Sequence, residues 1–125
     1  MKNIKYVLMI FVPSLVLNVW LFRFNKATIY RGGDATNMIE EFAAYGLSES
    51  MVYIVGGLKV LAALGLLLGF VYRKSIVPSA LLMSVLMVGA IAMHFTVGDA
   101  PIKYLPAGLM LLSSLGILYA DKKMA

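Results

Sequence analysis

Four stretches of this 125-residue chain are each apolar and long enough to cross a hydrocarbon layer, and no other feature constrains its fold as tightly. A crossing helix needs about 20 residues, within a range of roughly 17–25. The stretches span residues 6–22, 51–72, 76–97 and 102–120. Polar or charged residues follow each one: Arg23 and Lys26, Arg73 and Lys74, Asp99, and finally Asp121 to Lys123. Composition agrees, with 62% of residues hydrophobic and 14% charged, against about 45–50% and roughly 25% in an average soluble domain. A small soluble domain leaves much of its surface wet, and this chain has too few polar side chains to cover one. A soluble globular enzyme is excluded, and so is a disordered chain, which needs low hydrophobicity and high charge. The expected fold class is all-α: an integral membrane four-helix bundle, one transmembrane domain over residues 1–125.

Lys2 and Lys5 ahead of an apolar run would also suit a signal peptide. No small-x-small cleavage site closes the run, however, and Trp20, Leu21, Phe22 and Arg23 stand in its place. A retained first helix is expected. Four crossings put both ends of the chain on one side. Lys2, Lys5, Arg73, Lys74, Lys122 and Lys123 fall there, and Arg23, Lys26, Arg31 and Lys103 fall on the other. The excess of basic residues points to cytoplasmic termini. The net charge of +5 is accounted for by these flanks and implies no nucleic-acid partner. With no cysteine, disulfides, thiolate metal sites and thiol redox chemistry are absent.

The connection from Arg23 to Ser50 has structure of its own. Gly32-Gly33 permits a turn, and Asp34 can cap a following helix over about 34–45. Met38, Ile39, Phe42, Ala43 and Tyr45 recur at helical spacing, and Asn37, Glu40, Glu41 and Ala44 are assigned to the opposite face. Gly46 suits a left-handed helix stop, and Ser48 then caps the second membrane helix. The result is a short amphipathic helix between the first and second transmembrane helices.

In lipid, helix pairing depends on close backbone approach. The glycines expected to provide it are Gly56, Gly57, Gly65 and Gly69 in the second crossing, Gly89 in the third and Gly108 in the fourth. They serve packing inside one bundle or, alternatively, a homodimer face.

Lys59 is the polar residue that most needs a reason. A lysine at a helix centre costs roughly 2.5–3.5 kcal/mol on insertion scales. Eight residues into a helix beginning near Met51, it lies about 12 Å below that start. Either its stem snorkels to the headgroups, or its ammonium lines a polar pocket. His94, Asn18, Glu40, Glu41 and Asp99 all fall in the same half of the membrane, the outer one under this topology. The other half has almost no polar residues. The expected ligand or partner pocket is therefore Lys59, His94, Asn18, Glu40, Glu41 and Asp99. One histidine without a second histidine or a cysteine makes no metal site. No set of nucleophile, base and orienting group exists either, so no catalytic residues and no cofactor are expected.

Val55-Gly56-Gly57-Leu58-Lys59, Leu64-Gly65-Leu66-Leu67, Met87-Val88-Gly89-Ala90 and Met93-His94 together resemble the DoxX-like membrane proteins. Gly98-Asp99-Ala100-Pro101-Ile102-Lys103 followed by Leu105-Pro106-Ala107 is similar to that family's entry to its last helix. The resemblance runs over roughly residues 4 to 120. It implies a four-helix bundle in the bacterial inner membrane, with a re-entrant or amphipathic element between the first two helices. It also implies that the position of Lys59 is a glutamate in many relatives, a departure that removes any role resting on an inward carboxylate. The family includes small subunits associated with quinone-linked oxidoreductases, and distant relatives assist assembly of membrane receptors. The function expected here is non-catalytic: binding a partner protein or a small amphipathic molecule, a lipid or a quinone, at the outer-half pocket around Lys59 and His94. The alternatives are an accessory subunit of a quinone-linked membrane oxidoreductase complex, or a small transporter. The last requires an oligomer, because one such bundle encloses too little volume for alternating access.

Overall fold

The structure, a computed structural model, describes the backbone of residues 2–124 and the side chains of residues 3–123. Five α-helices carry the described residues, and no strand occurs among them. Helix α1 covers Lys2–Leu17 and continues into a π-helical turn, Asn18–Phe22. The short α2 is Met38–Ala44, α3 is Glu49–Leu68, α4 is Ile76–Thr96 and α5 is Leu105–Met124. Single 3₁₀ turns at Arg73–Ser75 and Pro101–Tyr104 lead into α4 and α5. The apolar spans run over Asn3–Phe22, Glu49–Leu68, Arg73–Thr96 and Pro101–Lys123. At about 1.5 Å per residue the shortest, of 20 residues, still reaches across a hydrocarbon core of about 30 Å. This is a multi-pass membrane protein.

The packing order follows from the buried stripes. Met9, Val12 and Val16 of α1 face inward at helical spacing, as do Val52, Ala63 and Leu66 of α3, Ala80, Met83 and Met87 of α4, and Met110 and Ile117 of α5. Helix α1 packs on α3 and α5, and α4 on the same two, closing a four-membered ring. The outward faces remain apolar: Val71 is 86% exposed and Phe95 is 78%. Such surface is stable only where lipid replaces water.

Several boundaries differ from the sequence reading, two of them with a cause visible in the hydrogen bonds. The second crossing ends at Leu68, not at residue 72. Gly69 to Tyr72 form turns there, and Ser75 Oγ donates to the Gly65 carbonyl at 2.8 Å. The amphipathic helix starts at Met38 rather than at 34, because Asn37, not Asp34, is its cap. Asn37 Oδ1 accepts the Glu40 N–H at 2.8 Å. Gly46 does take the left-handed conformation after this helix, with φ +79°.

The glycines divide into two groups. A Cβ on Gly56 would enter the Trp20 ring, one on Gly65 would enter Ser79, and one on Gly69 would press on Ile76 and Met9. Gly57, Gly89 and Gly108 have open space where a Cβ would stand, so the close contact expected inside the bundle is not made there. Adjacent substitutions therefore have opposite signs. Gly56→Ala should destabilise by about 1–3 kcal/mol through displacement of a rigid indole. Gly57→Ala should stabilise by about 0.4–1 kcal/mol by restricting the unfolded chain. Thermal unfolding of the two variants in one detergent checks both.

Candidate functional site

The site lies at the end of the bundle where α1 finishes, α2 sits and α3 begins. There the π-helical turn at Asn18–Phe22 widens the end of α1, and the Arg23 N–H closes back onto the Asn18 carbonyl at 3.0 Å. The turn buries Trp20, whose ring meets Phe42 of α2 edge-on with centroids 6.0 Å apart. Gly56 of α3 supplies the space for the indole.

Lys59 stands midway along α3, deeper than the sequence reading placed it, because α3 begins at Glu49. At about 1.5 Å per residue it is about 15 Å from the helix start. It continues the stripe Val52, Gly56, Ala63 and so faces the interior. Its ammonium lies 5.3 Å from the centroid of the Trp20 ring. A cation over an indole gains about 0.5–1 kcal/mol when exposed and about 2 when desolvated. Among the described residues no carboxylate comes within ion-pair distance of it, so the partner that Gly56 makes room for is an aromatic face, not an acid.

Around this lysine is a cavity of about 750 Å³. Its walls are mostly apolar, with Phe11, Leu15, Val55, Leu86 and Met110 among them, and Asn18, Arg23, Arg31, Glu41, Tyr45, Lys59, His94 and Lys103 contribute polar groups. Four of the six expected residues, Lys59, His94, Asn18 and Glu41, thus meet at one cavity. Glu40 and Asp99 do not line it.

Glu40 lies outside the cavity. It is exposed, and its Oε1 accepts the Thr36 N–H at 2.9 Å and the Thr36 hydroxyl at 2.7 Å. These bonds hold its carboxyl below the usual 4.5. Glu41 was placed on the same outer face, yet it is buried. Met38, Glu41, Phe42 and Tyr45 are i, i+3, i+4 and i+7, so Glu41 belongs to the inward stripe. Its Oε2 accepts from Arg31 Nη1 at 3.1 Å, and its Oε1 from the Gly32 N–H at 2.9 Å and the Tyr45 hydroxyl at 3.1 Å. Burial first, and the Glu41 carboxylate second, push the Tyr45 phenol well above its usual 10, so it stays a donor.

Arg31 is the residue that sequence reasoning missed. It is 4% exposed. Its Nε donates to the Lys26 carbonyl at 2.8 Å, Nη2 to the Phe24 carbonyl at 3.1 Å and to that of Arg23, and Nη1 to Glu41 and to Met38 sulfur at 3.6 Å. All five guanidinium donors are occupied, which locks the loop onto α2. The only sequence signal was an acid on the apolar stripe of a short helix, which requires a cation from somewhere.

Asp99 stands behind His94 rather than in the cavity. Its Oδ2 is 2.6 Å from His94 Nδ1, its Oδ1 accepts the Gly33 N–H at 2.9 Å, and Lys103 Nζ is 3.8 Å away and also bonds the Gly33 carbonyl. Burial raises the Asp99 carboxyl, but the His94 bond, the Gly33 N–H and the Lys103 charge outweigh it and hold it below 3.8. An ionised acceptor there makes His94 Nδ1 the donor. The sign for stability follows. A depressed carboxyl contributes fully above its unfolded value, and the contribution is lost as pH falls through the lower folded one. Unfolding curves of wild type and Asp99→Asn should stay apart at neutral pH and converge as pH falls below the usual carboxyl value of 3.8.

The half of the bundle expected to lack polar residues holds a buried ion pair. Lys5 Nζ lies 2.8 Å from Asp121 Oδ1, and Lys5 is 1% exposed. Among the described residues no three of His, Cys, Asp and Glu gather as a metal site would require.

Residues 16–116, from the end of α1 through most of α5, match the DoxX-like family. The chain belongs to it. No curated protein and no solved structure matches the chain. The match to the DoxX-like family covers the whole loop from Arg23 to Ser50 and Lys59, His94 and Asp99 with it, so the described site lies inside the shared region.

Proposed function

We propose that this DoxX-like protein binds a small amphipathic molecule, a lipid or a quinone, in the cavity around Lys59 and His94. The observation that carries the reading is the unpaired ammonium of Lys59 in an apolar-walled cavity of about 750 Å³. Ligand cavities generally measure about 300–1,000 Å³ and combine apolar walls with a few convergent polar groups. Arg31 and Glu41 neutralise each other, as do Lys103 and Asp99. Lys59, together with the exposed Arg23, is left to attract an electron-rich head, a carboxylate, phosphate or carbonyl oxygen. His94, steadied by Asp99, and Asn18 orient that head, and the tail lies among Phe11, Leu15, Val55 and Leu86. In this reading the protein sits in the bacterial inner membrane with both chain ends cytoplasmic, as the basic excess on that side favours. The cavity then belongs to the outer half.

Lys59→Met is the test, since it keeps the stem and removes the charge. Mass spectrometry of small molecules carried through purification should find an amphiphile on the wild type and about ten-fold less on the variant, as loss of a charged hydrogen bond implies. Unfolding temperature and Trp20 fluorescence report separately on folding. Equal retention, or none on the wild type, overturns the reading.

A further inference from the structure

We propose a second site, at the opposite end of the bundle, that takes the phosphate of an anionic phospholipid between Lys5 and Arg73. A cavity of about 180 Å³ lies there, with Lys5, Tyr6, Gly69, Phe70, Arg73 and Ile76 in its lining. At roughly 30 Å³ per water it holds about six waters, room for a phosphate group. Two cations converge on one carboxylate oxygen: Lys5 Nζ at 2.8 Å and Arg73 Nε at 3.5 Å from Asp121 Oδ1. One positive charge is therefore left over. Lys5 brings a fully buried ammonium with two donors beyond the one given to Asp121.

Arg73 is the open half of the site. Its side chain is 54% exposed, and its terminal nitrogens make no hydrogen bond to protein among the described residues. A planar guanidinium with free Nη groups matches two oxygens of a phosphate at once. The surroundings select a lipid over a free ion. Phe70, Val71 and Tyr72, 44%, 86% and 53% exposed, flank the cations where a glycerol backbone and the first acyl carbons would lie. Lys74, Lys122 and Lys123 are exposed at the same end, and Asp121 is the one acidic side chain there among the described residues. This surface attracts anionic lipid.

The test compares phosphatidylglycerol with phosphatidylcholine on the full-length protein by native mass spectrometry from micelles. The wild type should retain phosphatidylglycerol preferentially. Arg73→Gln should lower that preference about ten-fold, as loss of a charge-assisted guanidinium–phosphate pair implies. Arg73 is half-exposed, so the variant folds, and an unchanged unfolding temperature confirms it. Lys122→Gln removes the same charge from the same end and should leave the preference in place. Equal retention of the two lipids by the wild type overturns the site. An equal loss in Lys122→Gln also overturns it, since the attraction is then diffuse. If inorganic phosphate alone raises the unfolding temperature as much as phosphatidylglycerol does, through Arg73, the lipid assignment falls.

Discussion

Arg31→Leu should cost about 3–5 kcal/mol of stability, the penalty for leaving one member of a buried pair without its partner. Glu41 would remain inside, facing the cavity with its charge uncompensated, and the carbonyls of Arg23, Phe24 and Lys26 would lose their shared donor. The loss should begin locally, because this guanidinium ties Arg23, Phe24 and Lys26 to α2, where only the Met38 N–H to the Phe24 carbonyl would be left among the described hydrogen bonds. Hydrogen exchange in residues 23–45 should rise before the four long helices respond, and thermal unfolding in detergent should shift down by many degrees. Arg31→Lys keeps the charge but offers three donors from a point rather than five from a fork. It should recover only part of the loss. An unfolding temperature equal to wild type in Arg31→Leu would show that this loop does not depend on the pair.

The second large effect belongs to the other end. Lys5→Met leaves Asp121 buried beside an Arg73 that is half in solvent, and should likewise cost about 3–5 kcal/mol. The double variant Lys5→Met/Asp121→Leu should regain most of that. The attraction within a buried pair is largely offset by the cost of desolvating both members, so an apolar pair of similar size packs nearly as well. A double-mutant cycle measured by unfolding in detergent gives the coupling directly. Additive effects in that cycle would mean that Lys5 and Asp121 do not act as a pair.

The two ends show where linear reading stops. Lys5 lies on the stripe Lys5, Met9, Val12, Val16, and Asp121 continues Ser114 and Ile117, so each position was inward by periodicity. Taken singly, each looked like a charge flanking a membrane helix. Only the 116-residue separation closing between α1 and α5 makes them partners. The same holds for Glu41, whose spacing already placed it with Met38 and Phe42. Lys59 faced inward by its own stripe, but that its cation would rest on an indole depended on a π-helical turn bringing Trp20 across to Gly56. Half the glycines chosen for close packing face open space, since a glycine pattern says which backbones can approach and not which do.

Four apolar runs and a scarcity of charge were by themselves enough to make this chain a helical membrane bundle, because a backbone in lipid must satisfy its own hydrogen bonds within each segment. That is a local requirement, and local sequence meets it. The pairing of Arg31 with Glu41, of Lys5 with Asp121 and of Lys59 with Trp20 was decided in the tertiary structure alone. A buried charge accepts any partner that restores its solvation, and which one arrives depends on how distant helices and loops come together.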